Sequence, residues 1–130
     1  MPDALEVWDR ALDYGTDCSA PGDRALRDAL TFHGSVENGG LLNAVESYAE
    51  DSEFPLPRVI EAYRYFGLDS TASLITTCAT ERRATSDNDW KALECLELRF
   101  DPQYSPDDDE LTASLEAKLT TSPGDFEPTS

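Results

Sequence analysis

Basic residues are scarce in this chain. Ten Lys and Arg stand against 27 Asp and Glu among 130 residues, so the net charge is −17 at pH 7. A protein that binds nucleic acid directly needs basic side chains to neutralise phosphates, so this composition excludes a conventional nucleic-acid-binding surface. The same charge argues against docking on an anionic membrane leaflet. Any electrostatic partner of this chain is therefore expected to be a basic protein.

Targeting segments and paired cysteines are also lacking. No run approaches the ~18 apolar residues that span a bilayer. The first six residues, Met-Pro-Asp-Ala-Leu-Glu, contain neither the basic nor the apolar part of a secretory signal. The three cysteines, Cys18, Cys78 and Cys95, are odd in number and form no C-x-x-C pair. We therefore expect a cytoplasmic protein with no membrane partner, whose cysteines are buried free thiols.

Catalytic motifs are absent. The chain has a single histidine, His33, and it has no G-x-S-x-G sequence, glycine-rich phosphate loop or H-E-x-x-H sequence. A metal site built from Cys and His needs more partners than one histidine supplies. The run Asp107–Glu110 lacks the spaced ligands and the turn glycine of a calcium loop. The sequence therefore predicts no enzyme, no cofactor and no metal site, and it predicts a packed or capping role for His33.

The apolar residues follow a helical period. They make up 39% of the chain and include two Trp, five Phe and five Tyr, which is enough for a folded core. Their spacing is helical almost throughout, and no alternating run is long enough for a convincing strand. We therefore predict an all-α fold, a compact bundle of about six or seven short helices. It forms a single domain over residues 1–120, followed by a flexible tail at 121–130 that contains two prolines and a glycine.

The inner faces of the helices follow from the same spacing. In the first helix, over residues 3–14, the predicted apolar stripe consists of Leu5, Trp8, Ala11 and Leu12. In the sixth helix, which starts near Ser86 or Asp87, the predicted inner face begins with Trp90. The last helix follows Ser105-Pro106 and a run of acidic residues, and its predicted seam consists of Leu111, Leu115 and Leu119.

Eleven acidic residues in three segments form the candidate partner-binding surface. The segments are the first helix with Glu6, Asp9 and Asp13, the 46–53 segment with Glu46, Glu50, Asp51 and Glu53, and the 107–110 turn with Asp107, Asp108, Asp109 and Glu110. On a helix the first three rise ~4.5 and ~6 Å apart along the axis, a spacing comparable with that of phosphates along a strand.

Charge density limits how such a surface could imitate DNA. A globule of this mass exposes roughly 400 Å² per net negative charge. Duplex DNA, taken as a cylinder about 10 Å in radius with one charge per ~1.7 Å of axis, exposes about 110 Å² per charge. Imitation of DNA therefore requires that the carboxylates gather on one face.

Three stretches of the chain resemble a known family. The first reads Phe32-His33-Gly34-Ser35-Val36-Glu37-Asn38-Gly39-Gly40-Leu41-Leu42. The second is Val59-Ile60-Glu61-Ala62-Tyr63-Arg64-Tyr65-Phe66-Gly67-Leu68, and the third is Ala72-Ser73-Leu74-Ile75. The Asn-Gly-Gly helix break and the Phe-Gly-Leu helix end resemble the small all-helical family named for a bacterial DNA-mimic protein. The resemblance covers about residues 24–100.

The resemblance carries functional expectations. It implies a homodimer whose carboxylates imitate duplex phosphates and occupy the DNA-binding face of a transcription factor. The sequence departs from the family pattern after the double glycine, where Leu41 replaces an aromatic residue and Leu42 a polar one. These departures indicate a divergent member, whose specific partner need not be that of the family's named member.

Two other interpretations fit the same composition. An immunity-type protein that inhibits a basic toxin or nuclease would also offer carboxylates to a basic cleft. An acidic helical domain from a salt-adapted host would have no electrostatic partner at all, and the balance of two Lys against fifteen Asp is typical of such hosts. The first of these alternatives predicts one-to-one binding that duplex DNA does not compete, and the second predicts no specific binding.

Overall fold

Seven α-helices make up most of the chain. The computed structural model describes residues 2–129, and no strand occurs in that range. The helices are α1 (Ala4–Leu12), α2 (Pro21–Gly39), α3 (Leu41–Tyr48), α4 (Leu56–Tyr65), α5 (Asp69–Arg83), α6 (Trp90–Phe100) and α7 (Asp108–Thr121), with short 3-10 turns at Asp101–Gln103 and Pro123–Asp125. The predicted all-α fold of about six or seven short helices is confirmed. Among the described residues, no helix is both long enough and apolar enough to cross a membrane.

Helix α2 lies between two clusters of buried side chains. On one side Phe32 and Val36 pack with apolar residues of α3, α4, α5 and α6, around the fully buried Tyr63. On the other side Leu26 and Leu30 pack with α1 and with the leucine seam of α7, namely Leu111, Leu115 and Leu119. The predicted seam of the last helix is therefore confirmed, and α7 packs against α1, α2 and the end of α4.

A positive φ angle explains the glycine pair that ends α2. Gly40 closes α2 and precedes α3 with φ of +88°, a conformation that L side chains rarely adopt. A Cβ atom at this position would also collide with the carboxylate of Asp101. That carboxylate accepts a hydrogen bond from the backbone N–H of Leu42 at 2.9 Å. The Asn-Gly-Gly break therefore positions α3 rather than forming a surface site.

The predicted inner stripe of α1 is wrong for two of its four residues. Leu5 is 68% exposed and Leu12 is also exposed, whereas Val7 and Ala11 are completely buried. At about 100° per residue, Val7 and Ala11 share one face and Leu5 lies nearly opposite. Arg27 of α2 fixes this rotation, because its guanidinium donates to the carbonyl oxygens of Arg10, Ala11 and Asp13 at the end of α1.

The prediction that Trp90 is buried is also wrong. Trp90 is the first residue of α6 and is 66% exposed, while Leu96 and Phe100 form the buried face. Trp90 is six positions before Leu96, which places the two side chains about 120° apart around the helix axis. The helix starts only at this residue because Asp89 caps it, accepting a hydrogen bond from the N–H of Ala92 at 3.1 Å.

The segment expected to be a flexible tail is packed as far as residue 129. Phe126 is 5% exposed, and its ring lies on Gly22 of α2, where any Cβ atom would collide with it. The N–H of Glu127 donates to the buried carboxylate of Asp23 at 2.9 Å, and Arg10 donates to the carbonyl oxygens of Glu127 and Pro128. The prolines and the glycine within this segment suggested a loose chain. The contact of Phe126 with Gly22 of α2 instead holds the segment against the domain.

The three cysteines have different environments. Cys18 and Cys78 are buried, as expected, but Cys95 on the outer side of α6 is exposed, which corrects the expectation of three buried thiols. Burial raises the pKa of the Cys78 thiol to about 11, and burial also raises the pKa of Cys18. A thiol with a raised pKa forms little of the reactive thiolate near neutral pH.

This difference predicts selective thiol labelling. At pH 8 the native protein should react with an aromatic disulfide reagent promptly at Cys95, and at Cys18 and Cys78 only as fast as the chain opens. The release of thiolate chromophore over time measures this, and Cys95→Ser should remove the fast phase alone. A fast phase that persists in Cys95→Ser would contradict the assignment.

Candidate functional site

The first acidic segment consists of two residues of α1 and the residue that follows it. Asp9 and Asp13 are exposed and Glu6 is half-buried. The carboxylate of Asp13 accepts hydrogen bonds from Thr16 Oγ1 at 2.8 Å and from the N–H of Gly15 at 3.1 Å. These two bonds lower the pKa of Asp13. Asp13 therefore carries its negative charge throughout the neutral pH range.

The four acidic residues of the 46–53 segment differ in what they contact. Glu46 pairs with Arg82 of α5 at 2.6 Å, and the same guanidinium binds Asp87 at 2.7 Å. Asp51 closes the loop, because its Oδ1 accepts from the N–H groups of Glu53 and Phe54 at 2.8 and 2.7 Å. Glu50 and Glu53 are exposed. Glu46 is therefore partly neutralised, while Asp51 has a structural role besides its charge.

Aromatic contacts join the first two acidic segments. The ring of Tyr14, directly after Asp13, lies edge-to-face on Phe54 with centroids 6.2 Å apart. Phe54 in turn contacts Tyr48 of α3 at 6.3 Å. The carboxyl end of α1 therefore lies beside the 51–54 loop, so the structure brings Asp13 and that loop into one region of the surface.

The third acidic segment starts α7. Asp107 is the N-cap residue, and its Oδ1 accepts from the N–H of Glu110 at 2.8 Å. Asp108, Asp109 and Glu110 are exposed in the first turn, where the helix dipole favours negative charge. Asp107 therefore holds the end of α7, and the other three present their carboxylates to solvent.

Replacing Asp107 tests this capping role. Asp107→Ala should lower the free energy of unfolding by about 1 kcal/mol, because the N–H of Glu110 loses its acceptor. Urea denaturation followed by circular dichroism measures the change. Asp109→Ala removes the same charge from the same turn and serves as the control. Equal losses in the two variants would show that Asp107 contributes only charge.

A fifth acidic residue joins the α7 turn from α2. Asp108 Oδ1 lies 3.0 Å from His33 Nε2, and Glu37 Oε1 lies 3.2 Å from the same nitrogen. Glu37 was not among the predicted site residues, because 70 or more positions separate it from the 107–110 turn. Its position four residues after His33 was visible in the sequence, but its proximity to α7 was not.

His33 is held by a chain of hydroxyl groups. It is 3% exposed, and its Nδ1 lies 2.8 Å from the hydroxyl of Tyr104. That hydroxyl lies 2.7 Å from the hydroxyl of Tyr63, which donates to the carbonyl oxygen of Ala29 at 3.4 Å. Burial raises the pKa of both tyrosines, so both hydroxyl groups are neutral. The expected packed role of His33 is confirmed.

The charges of the two signs are distributed differently between surface and interior. Twenty of the 27 acidic residues are exposed, but only five of the ten basic residues are. Arg10 and Arg58 pair with the buried carboxylates of Asp23 and Asp28, both at 2.8 Å. Exposed Arg99 pairs with Glu81. The positive charge of the chain is thus largely engaged within the fold, and the negative charge faces solvent.

These features define an acidic all-α protein that exposes most of its carboxylates. The chain belongs to the DMP19-like protein family: the family described as "DMP19-like protein" matches residues 16–122. The match spans α2 to α7 and the second and third acidic segments, and α1 precedes it. No curated protein and no solved structure matches the chain.

Proposed function

We propose that this chain is a non-enzymatic DNA mimic. In this proposal it binds the DNA-binding surface of a basic protein, such as a transcription factor, with carboxylates in place of duplex phosphates. Membership of the DMP19-like family supports the proposal, because that family suggests a DNA-mimic protein. In this proposal the partner recognises the carboxylates and their spacing. The chain itself binds no nucleic acid, because its net negative charge repels phosphates.

The observation that carries the proposal is the excess of exposed acidic residues. Twenty exposed carboxylates stand against five exposed basic residues. The accessible surface is 7049 Å², or about 410 Å² for each of the 17 net charges. Duplex DNA is about four times denser in charge by the same measure. The proposed binding surface is therefore a region whose negative charge density is higher than the average over this protein's surface.

We propose two regions as candidates for this surface. The first joins the end of α1 to the 51–54 loop through Tyr14 and Phe54. The second is the start of α7, where Glu37 adds to the four carboxylates of the 107–110 turn. We propose the eleven predicted acidic residues, together with Glu37, as the partner-binding surface. The family resemblance adds a homodimer to the proposal, in which two copies present these regions together, and we propose a cytoplasmic location from the sequence.

Capture from the source organism tests the proposal. The protein is immobilised, nuclease-treated lysate is passed over it at low salt, and elution with duplex DNA is followed by elution with high salt. A DNA-binding protein released by the duplex and identified by mass spectrometry supports mimicry. A toxin or nuclease that resists the duplex would replace the proposal with an immunity function, and an empty column would assign the acidity to the host's general composition.

A further inference from the structure

Helix α1 exposes a row of apolar side chains. Leu5, Trp8 and Leu12 have the spacing of an inward-facing helical stripe, yet Leu5 is 68% exposed and Leu12 is 45% exposed. Trp8, between them, is half-buried against the cluster formed with α2 and α7. At about 100° per residue the three side chains lie within about 60° of one another around the helix axis. They form one apolar row along the solvent side of α1.

The apolar row is held on the outside of the fold. Val7 and Ala11 fill the buried face of α1 and have no exposed surface. Arg27 of α2 donates to three carbonyl oxygens at the end of α1, at 2.6 to 3.1 Å. Turning Leu5 inward would expose Val7 and break these hydrogen bonds. The exposure of the apolar row is therefore a property of the packed domain.

An acidic row runs beside the apolar row. Around the axis of α1, Asp9 lies about 40° from Leu5, on the side away from Trp8. Glu6 and Asp13 lie about 80–100° from Leu5 on that same side. The outer face of α1 is therefore divided lengthwise, with apolar side chains along one half and carboxylates along the other.

We propose that this face binds an amphipathic basic helix of the partner protein. Apolar side chains of that helix cover the apolar row, and its Lys or Arg side chains meet the acidic row. The inference rests on the proposed function, because DNA-binding proteins commonly present a basic helix to the major groove. Charge complementarity selects this occupant, and the apolar row adds a contact that the phosphates of duplex DNA cannot make.

A second copy of this chain fits the same face less well. It would bring three further carboxylates to the interface, and like charges across an interface oppose binding. Arg10, the basic residue of α1, is turned away from this face and pairs with the buried Asp23 at 2.8 Å. A basic helix meets the face without this repulsion.

Two synthetic peptides probe the face on the full-length protein. One is a helical peptide of leucine and lysine with its leucines along one side, and in the other glutamine replaces every leucine at unchanged charge. Trp90→Phe leaves Trp8 as the sole tryptophan and fluorescent reporter. The leucine peptide should bind at least about tenfold more tightly, since burial of one leucine contributes that much or more. It should also shift the emission of Trp8 to shorter wavelength.

Substitutions in the apolar row should remove this preference for leucine. Leu5→Gln should reduce the preference, and Leu5→Gln combined with Leu12→Gln should abolish it. Glutamine has nearly the helix propensity of leucine, and circular dichroism checks that the variants fold. Leu98→Gln on α6 is the matched control, because Leu98 is 69% exposed, and it should leave the preference unchanged.

Several results would overturn the inference. Equal affinities for the two peptides would reduce the binding to charge alone, and an equal loss in Leu98→Gln would indicate unspecific apolar contact. If the double variant converts a dimer into a monomer in sedimentation velocity, the apolar row is an interface between copies instead.

The captured partner separates this inference from DNA mimicry. The double variant should bind that partner at least about tenfold more weakly. Unchanged affinity, with the partner still fully displaced by duplex DNA, would refute the inference on the apolar row alone. A partner that duplex DNA does not displace would refute mimicry and leave the peptide result standing.

Discussion

Arg10→Ala should lower the free energy of unfolding by about 3–5 kcal/mol, because it leaves a buried carboxylate without its charge partner. Asp23 is only 1% exposed, and both of its oxygens accept from the Arg10 guanidinium, at 2.8 and 3.1 Å. The same guanidinium holds the chain end through the carbonyl oxygens of Glu127 and Pro128. One substitution therefore uncovers a buried charge and releases the segment that carries Phe126.

An exposed arginine provides the matched control for Arg10. Arg64 pairs with Glu61 on the surface of α4, where both side chains face solvent. Arg64→Ala should change the free energy of unfolding by no more than about 1 kcal/mol, since exposed ion pairs contribute little. Chemical denaturation measured by circular dichroism gives both values. A loss for Arg10→Ala as small as that for Arg64→Ala would contradict the assigned role of the buried pair.

Neutralising the α7 turn should weaken partner binding roughly thirtyfold at low salt. The variant replaces Asp107, Asp108 and Asp109 by Asn and Glu110 by Gln, which keeps side-chain shape and leaves an amide oxygen at position 107 that can still cap the helix. Four exposed ion pairs at about 0.5 kcal/mol each give about 2 kcal/mol, which corresponds to that factor. Affinity for the captured partner, measured by surface plasmon resonance, tests the expectation.

A second quadruple variant separates position from charge. This variant also removes four negative charges, but from exposed sites outside the three acidic segments. It combines Asp69→Asn, Glu94→Gln, Glu97→Gln and Glu116→Gln. This variant should bind the partner within about threefold of the natural chain, since general attraction between distant charges is screened by salt. Equal weakening by the two variants would show that only net charge matters. Unchanged affinity in the variant of the α7 turn would exclude that turn from the partner-binding surface.

The sequence predicts where helices form more readily than it predicts which face of each helix is buried. The leucine seam of α7 repeats every four residues, so its buried face was predictable. The apolar residues of α1 form one broad face with Val7 and Ala11 toward one edge and Leu5 at the other, so the spacing alone does not select which edge is buried. The selection comes from Arg27, whose contacts with the end of α1 join residues 14 to 17 positions apart.

The candidate site was predictable only in its composition. The acidic segments are visible as runs of like charge, and the structure leaves most of their side chains in solvent. The cluster of His33, Glu37 and Asp108 depends on the first residue of α7 lying beside α2, a contact that no local pattern encodes. Similarly, the burial of Phe126 depends on Gly22, more than a hundred residues earlier, leaving room for the ring.

Competition with duplex DNA tests the proposed mimicry most directly. A fluorescently labelled duplex is bound to the captured partner, and this protein is titrated into the complex while anisotropy is followed. We expect complete displacement of the duplex, with an apparent affinity that falls steeply as salt rises from 50 to about 200 mM, as for charge-driven binding. A ternary complex, in which the partner holds the duplex and this protein together, would contradict DNA mimicry.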